Sequence, residues 1–250
     1  MGFLRGVKGL LAFFTTIPVK AGEDSLNEAA TYMPLAPLFG ALIGLVAGVF
    51  LGLARIFLPP LVAGMLTLGF IILIEGIRHA DGLLDFGDGV SLDGVPDKRI
   101  EAMHIASVGT GGFMLGFMTL AVTALGISNL GASRFLQDLI VMEISAKLAM
   151  VSISWFGKPA SQESSAQFID RMRGKRRGLR LFASLMLSAL LVVLVVGLAG
   201  IFVLLVGLLA SVIIAWSSNR YFGGIVGDAF GAAHEIARMV SLVVILAISP

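Results

Sequence analysis

The chain has 250 residues, 57% of them hydrophobic and only 14% charged, with a mean hydropathy of +0.97. That balance excludes a soluble globular domain, a disordered chain and a nucleic-acid binder working through a large basic face, and it points to a polytopic membrane protein. The formal net charge of +2 says nothing about partners, and the absence of cysteine excludes disulfides, thiolate metal sites and a Cys nucleophile.

In chain order, Arg5 and Lys8 precede an apolar run at 9–17 that Pro18 ends. The run is too short to span a bilayer, and no Ala-x-Ala cleavage signal follows, so it reads as a segment at the interface or tucked under a bundle. Long uncharged stretches then predict about seven transmembrane helices, near 34–57, 60–77, 110–130, 136–156, 180–198, 201–218 and 232–249. The 31 glycines suggest that these helices pack closely. The fold class expected is an all-α integral membrane bundle forming a single domain over 1–250.

With seven spans, the N-terminus and the loops after helices two, four and six lie on one side. That side collects 15 of the 18 basic residues, leaving Arg55 and Arg134 opposite and Lys147 within a span. The positive-inside rule makes the rich side cytoplasmic, in a multi-pass protein of the cell membrane. Most acidic residues and all three histidines, His79, His104 and His234, fall on the same side, so polar chemistry concentrates on one face.

The densest polar group is HADGLLDFGDG at 79–89. If helical, it puts Asp81, Asp85 and Asp88 at i, i+4 and i+7 on one face. Three carboxylates together repel unless a cation or shared protons compensate, and oxygen-only ligands suit Mg²⁺, Mn²⁺ or Ca²⁺. A solvated acidic loop is the plainer alternative. Glu75 reads as a local ion-pair partner of Arg78, three residues on. The segment VGTGG at 108–112 reads as a glycine-rich turn into the third span. Glu143 and Lys147, at i and i+4 in an apolar helix, read as a pair facing the bundle interior. The run RMRGKRRGLR at 171–180 reads first as an anchor to anionic lipid and a topology signal. The closely spaced Gly223, Gly224 and Gly227, followed by Asp228 and a helix start, read as a phosphate-facing loop or a flexible connector. His104 and His234 read as polar loop or helix-start residues.

These residues carry a family resemblance. HADGLLDFGDGV resembles the His-x-Asp-Gly-x-x-Asp-x-x-Asp-Gly signature of the cobalamin synthases, adenosylcobinamide-GDP ribazoletransferases. FFTTIPV at 13–19, PLFGALIGLVAG at 37–48, VGTGG at 108–112 and FGGIVGDAFGAAHE at 222–235 extend it over nearly the whole chain. The chain departs from many members at Ile105, where they carry an acid, and at Ser107, where bacterial members often carry Arg. The resemblance implies transfer that joins adenosylcobinamide-GDP to α-ribazole or its 5′-phosphate, releasing GMP late in cobalamin biosynthesis. It implies Mg²⁺ on Asp81, Asp85 and Asp88, with His79 or a metal-free aspartate as base. Arg78, Arg99 and Arg220 are candidates for holding phosphate oxygens, a task that suits guanidinium. Gly223, Gly224, Gly227, Asp228 and Glu235 are candidates for completing the substrate site. The expected partners are the two substrates and the lipid bilayer, with no nucleic acid, and a homo-oligomer is an open option. The competing readings are another aspartate-cluster lipid-headgroup phosphotransferase and an ion or solute transporter. Transport sites, however, usually lie near the bilayer midplane, away from the face that collects the acids here.

Overall fold

The computed structural model describes residues 2–19, 25–160 and 164–248. Among them every regular element is helical: α1 (Gly2–Phe14), α2 (Ser25–Tyr32), α3 (Ala36–Phe57), α4 (Pro60–Glu75), α5 (Arg78–Ser91), α6 (Pro96–Met103), α7 (Thr110–Ser128), α8 (Phe135–Ile153), α9 (Ser164–Met172), α10 (Arg177–Val196), α11 (Ala199–Phe222) and α12 (Asp228–Ile248). The only strand-like pairing among them is an isolated parallel bridge between Pro159 and Ile225. All seven expected spans coincide with helices. Several start at proline, whose missing N–H costs nothing in a first turn: Pro37 in α3, Pro60 in α4 and Pro96 in α6. Gly197, at φ +76°, turns the chain between α10 and α11.

Five helical stretches are long and apolar enough to cross a bilayer: Ala29–Phe57, Thr110–Ser128, Arg177–Val196, Ala199–Phe222 and Asp228–Ile248. The other two expected spans differ for physical reasons. α4 has 16 residues, about 24 Å at 1.5 Å per residue, and the chain bends 97° between it and α5. The bend sits at Gly76, whose φ of +81° a side chain would resist. α5, with Arg78, Asp81, Asp85 and Asp88, therefore leaves the axis of α4 at nearly a right angle. α8 carries Asp138, Glu143 and Lys147, so it is not apolar by composition, yet it is the central helix. Nearly every residue from Asp138 to Ile153 is buried, against α3, α10, α11 and α12.

The seam between α3 and α8 shows what the glycines do. Gly40, Gly44 and Gly48 form a stripe on α3. A Cβ at Gly40 would lie 2.5 Å from the Glu143 carbonyl oxygen, and one at Gly44 2.5 Å from that of Leu139. The backbones approach as closely as small residues allow, the usual way of packing helices where burying oil from oil gives no drive. The outer surface is correspondingly apolar. Leu42, Leu53 and Phe57 of α3, Phe113 and Phe117 of α7, and Leu205 and Trp216 of α11 are exposed. α1 lies beneath the bundle as expected: Leu10 and Phe14 are buried in a core with Ala29, Ala30 and Met33. Thr16 then ties the following strap to the end of α4, its N–H 2.7 Å from the Ile74 carbonyl.

Candidate active site

The site lies where α5 crosses the start of α12. The crossing is glycine on glycine. A Cβ at Gly82 would lie 3.1 Å from the Asp228 carbonyl oxygen, and one at Gly231 2.6 Å from that of His79. This contact carries Asp228 to the side of α5 that bears Asp81 and Asp85. α5 is helical throughout, as the i, i+4, i+7 reading requires, and Asp81 is exposed while Asp85 and Asp88 are half-buried. Burial, then the neighbouring charges of Asp228, Asp81 and Asp88, push the Asp85 carboxyl up to about 6. A concentration of negative charge made only of oxygen donors has the chemistry a hard divalent cation takes.

Asp88 has a further duty. Its Oδ2 accepts the Gly109 N–H and its Oδ1 the Gly112 N–H, each at 2.7 Å. It is thus an N-cap for α7, lent by another helix. Gly111 and Gly112 let α7 sit directly on α5: a Cβ at Gly112 would be 2.4 Å from the Leu84 carbonyl oxygen. The glycines of VGTGG are there for packing. Asp81, Asp88 and Asp228 all press their charge on Asp85, and Asp88 in addition holds α7.

The loop at 223–227 is clamped. Gly223 ends α11 in the left-handed region at φ +74°. Gly224 lies against the 158–160 segment, where a Cβ would meet the Lys158 carbonyl oxygen at 2.6 Å. The bridge there runs from the Ile225 N–H to Lys158 O at 2.7 Å and from the Ala160 N–H to Ile225 O at 3.0 Å. The flexible-connector reading is thereby corrected. Gly227 and Asp228 open instead onto a cavity of about 150 Å³ lined also by Phe13, Arg78, His79 and Gly231. His79 is buried, and its Nε2 has no hydrogen-bond partner among the described residues.

The arginines separate. Arg78 is exposed at the cavity, with Nη2 donating to Ala12 O at 3.2 Å. Arg220 is exposed at the end of α11. Arg99 is buried and spent: it donates to Gly89 O at 3.1 Å, Val90 O at 2.9 Å and Gly94 O at 3.0 Å, and stacks over Tyr221. It caps the C-terminus of α5 and does not reach outward.

Glu235 lies apart from the cavity lining. It is buried in an ion-pair core beneath the site, bidentate to Arg238 Nη1 at 2.6 and 2.7 Å. Arg238 also donates to Glu143 through Nε at 2.7 Å and to Glu75, and Lys147 donates to Glu75. The local pairs expected from sequence, Glu143 with Lys147 and Glu75 with Arg78, are not the ones formed. The bend at Gly76 removes the i, i+3 relation of Glu75 and Arg78, while Glu143 and Lys147 reach to different helices. His234, expected at a helix start, is buried in the same core. Its Nε2 lies 2.7 Å from Arg238 Nη2 and 3.3 Å from Lys147 Nζ, and its ring centroid is 4.7 Å from that of His79. Glu75, His79 and His234 bring donor atoms within 4.8 Å of one another, the one such trio among the described residues. Lys147 and Arg238 already stand there as cations, so the trio is an ion-pair core and not a metal cage. The sequence signal for this core was four charges, at 75, 143, 147 and 238, in or at the edge of otherwise apolar helices.

Fold and site define a multi-pass membrane enzyme with its polar chemistry gathered at one end of a helical bundle. Residues 6–246 match the model of the family described as cobalamin-5-phosphate synthase. A protein of Methanococcoides burtonii named adenosylcobinamide-GDP ribazoletransferase is 33% identical, the match covering 98% of this chain and 92% of the relative. Proteins of the same name from Methanocella arvoryzae, at 33% identity over 96% of this chain and 94% of the relative, and Thermococcus gammatolerans, at 34% over 94% and 95%, are similar to it as well. No solved structure matches the chain. The chain belongs to the cobalamin-5-phosphate synthase family, transferases of cobalamin biosynthesis.

Proposed function

We propose that this chain is a single phosphotransferase domain of the cell membrane, with seven spans and its active face in the cytoplasm. It joins adenosylcobinamide-GDP to α-ribazole or its 5′-phosphate. The observation that carries this reading is the convergence of Asp81, Asp85 and Asp228 at one end of the bundle, beside a cavity lined by Arg78 and His79. The names of the relatives support the choice of substrates. The ribazole hydroxyl attacks the corrinoid-side phosphorus, the bond to the GMP phosphate oxygen breaks, and GMP leaves. Asp81, Asp85 and Asp88, with Asp228 beside them, would hold Mg²⁺, which would supply positive charge to the pyrophosphate. Arg78 orients phosphate oxygens from the cavity rim, with Arg220 nearer the outside. His79 Nε2, buried and unpartnered, takes the hydroxyl proton. The cavity suits the reacting phosphate and hydroxyl, while the corrin ring stays outside it. Most of the catalysis is positioning and charge stabilisation.

Detergent-purified protein, given Mg²⁺ and both substrates, is expected to form GMP and the joined corrinoid in equal amounts with no sealed membrane. Chelation should stop both together. Asp81→Asn and Asp85→Asn should each lower turnover at least about 100-fold, since a lost ligand removes several kcal/mol of charge stabilisation. Near-normal rates in both variants, or solute movement across vesicles without GMP release, would overturn the proposal.

A further inference from the structure

The ion-pair core fixes the state of His234. Arg238 Nη2 lies 2.7 Å from His234 Nε2 and Lys147 Nζ lies 3.3 Å from it, and both groups can only donate. Glu75 Oε2, the nearest acceptor, stands farther off than Arg238, at 3.3 Å, and itself accepts from Arg238 Nη2. His234 Nε2 is therefore the bare, accepting nitrogen, and the ring carries its proton on Nδ1. That Nδ1–H is buried and has no hydrogen-bond partner among the described residues. A buried donor left without an acceptor is costly, so the position calls for an oxygen.

A complementary atom lies close by. His79 Nε2 is likewise buried and without a partner among the described residues. The two ring centroids are 4.7 Å apart, and a nitrogen of one ring lies within 4.8 Å of a nitrogen of the other. One oxygen at ordinary hydrogen-bond distance, about 2.8–3.0 Å from each, spans a gap of that size. A hydroxyl suits it, because it accepts from His234 Nδ1–H and donates to His79 Nε2 at once. The place is the foot of the cavity: Phe230 and Gly231 line the cavity, and His234 lies one turn deeper on the same face of α12. We propose that His79 Nε2 and His234 Nδ1–H together seat the attacking ribazole hydroxyl. This rests on the reading of His79 as the base. The hydroxyl proton passes to His79 Nε2, and the remaining lone pair of the oxygen bonds to the corrinoid-side phosphorus. The GMP oxygen leaves with the electron pair of the broken bond. His234 keeps its proton throughout and aims the oxygen.

The test uses the full chain in detergent, where the histidines to be read are only His79, His104 and His234. Long-range proton–nitrogen spectra of protein carrying isotope-labelled histidine should show one ring protonated at Nδ1 and bare at Nε2, and His234→Gln should remove that signal. A His234 ring protonated at Nε2 would overturn the proposal. Glutamine carries its amide to where Nε2 was, and asparagine to where Nδ1 was. His234→Gln thus keeps an acceptor for Arg238 and loses the donor to the hydroxyl. Its kcat for GMP release should fall about tenfold, the worth of one hydrogen bond, with KM for adenosylcobinamide-GDP within about twofold and the unfolding temperature unchanged. His234→Asn keeps the donor, and its kcat should stay within about threefold although the ion-pair core is weakened. Wild-type kcat in folded His234→Gln, or a slower His234→Asn than His234→Gln, would overturn the proposal. If either variant fails to fold, the tautomer in the unaltered chain decides, its signals assigned through His79→Gln and His104→Asn. Loss of turnover in His79→Gln beside wild-type kcat in His234→Gln would defeat this inference alone, whereas wild-type turnover in both would defeat the base assignment as well.

Discussion

Replacing Gly231 by alanine tests whether the crossing of α5 and α12 sets the acid cluster. The added Cβ would lie 2.6 Å from the His79 carbonyl oxygen and 3.2 Å from the Cα atoms of His79 and Gly82, where ordinary contact begins at 3.4 Å. The obstruction is backbone on both sides, so no side chain can rotate away. The helices must part by about 0.8 Å, or α12 must slide, and overpacking of this kind costs about 1–3 kcal/mol. Asp228 sits three residues before Gly231 and moves with it, away from Asp81 and Asp85. A displacement near 1 Å at a positioned reacting group can lower a rate about 100-fold. GMP release by the purified protein is therefore expected to fall at least tenfold, with a higher Mg²⁺ concentration needed for half-maximal rate. Gly69→Ala is the matched control, because a Cβ there meets nothing within 4 Å and the position is exposed. Wild-type turnover in Gly231→Ala, with Gly69→Ala also unaffected, would refute the claim that this contact positions the site.

Other outcomes follow from the same geometry. Asp85, held up to about 6, binds a proton in the folded protein that an ordinary aspartate would release. The charged form of Asp85 is the disfavoured one, so this group's contribution to stability falls as pH rises from about 4 to about 6. Mg²⁺ competes with that proton, so the Mg²⁺ needed for half-maximal GMP release should rise up to tenfold for each pH unit below about 6, and stay flat above it. Arg238→Met leaves Glu75, Glu143 and Glu235 facing only Lys147, and should lower stability by about 3–5 kcal/mol, read as a large drop in unfolding temperature in detergent. Cysteines introduced singly at Ser91 and Gly223 should label from the same side of sealed vesicles, and one at Pro60 from the other; labelling of Ser91 and Gly223 from opposite sides would break the shared polar face.

The spans were legible because lipid imposes length and apolarity on a helix, so uncharged stretches locate α3, α7, α10 and α11 within a few residues. The end of α4 was legible less well, since only Gly76 marks a right-angled turn and the residue after it, Ile77, is apolar again. The Asp81 and Asp85 face followed from helical spacing alone. What spacing cannot show is which helix lies opposite. Asp228 enters the acid cluster through a glycine crossing more than 140 residues away in sequence, and Asp88 also caps α7 for the same kind of reason. Arg99 and Glu235 illustrate the converse: an arginine or a glutamate near a polar face looks available in sequence, and only the fold shows its donors or oxygens already filled. The partners of Glu143 and Lys147 were misread because helix neighbours are visible in sequence and facing helices are not.

The ion-pair core also constrains the order in which the chain can mature. α8 leaves the ribosome with Glu143 and Lys147 already in it, and a lone charge at a helix centre costs about 2.5–3.5 kcal/mol to insert. Lys147 finds Glu75, which was made earlier, but the counter-charge of Glu143 is Arg238, in α12, which is made later. Until α12 arrives, α8 is a helix with an unanswered acid, better kept beside other protein or the insertion machinery than in lipid. α12 is in this sense the latch of the bundle: its docking neutralises the middle and swings Asp228 into place in one event.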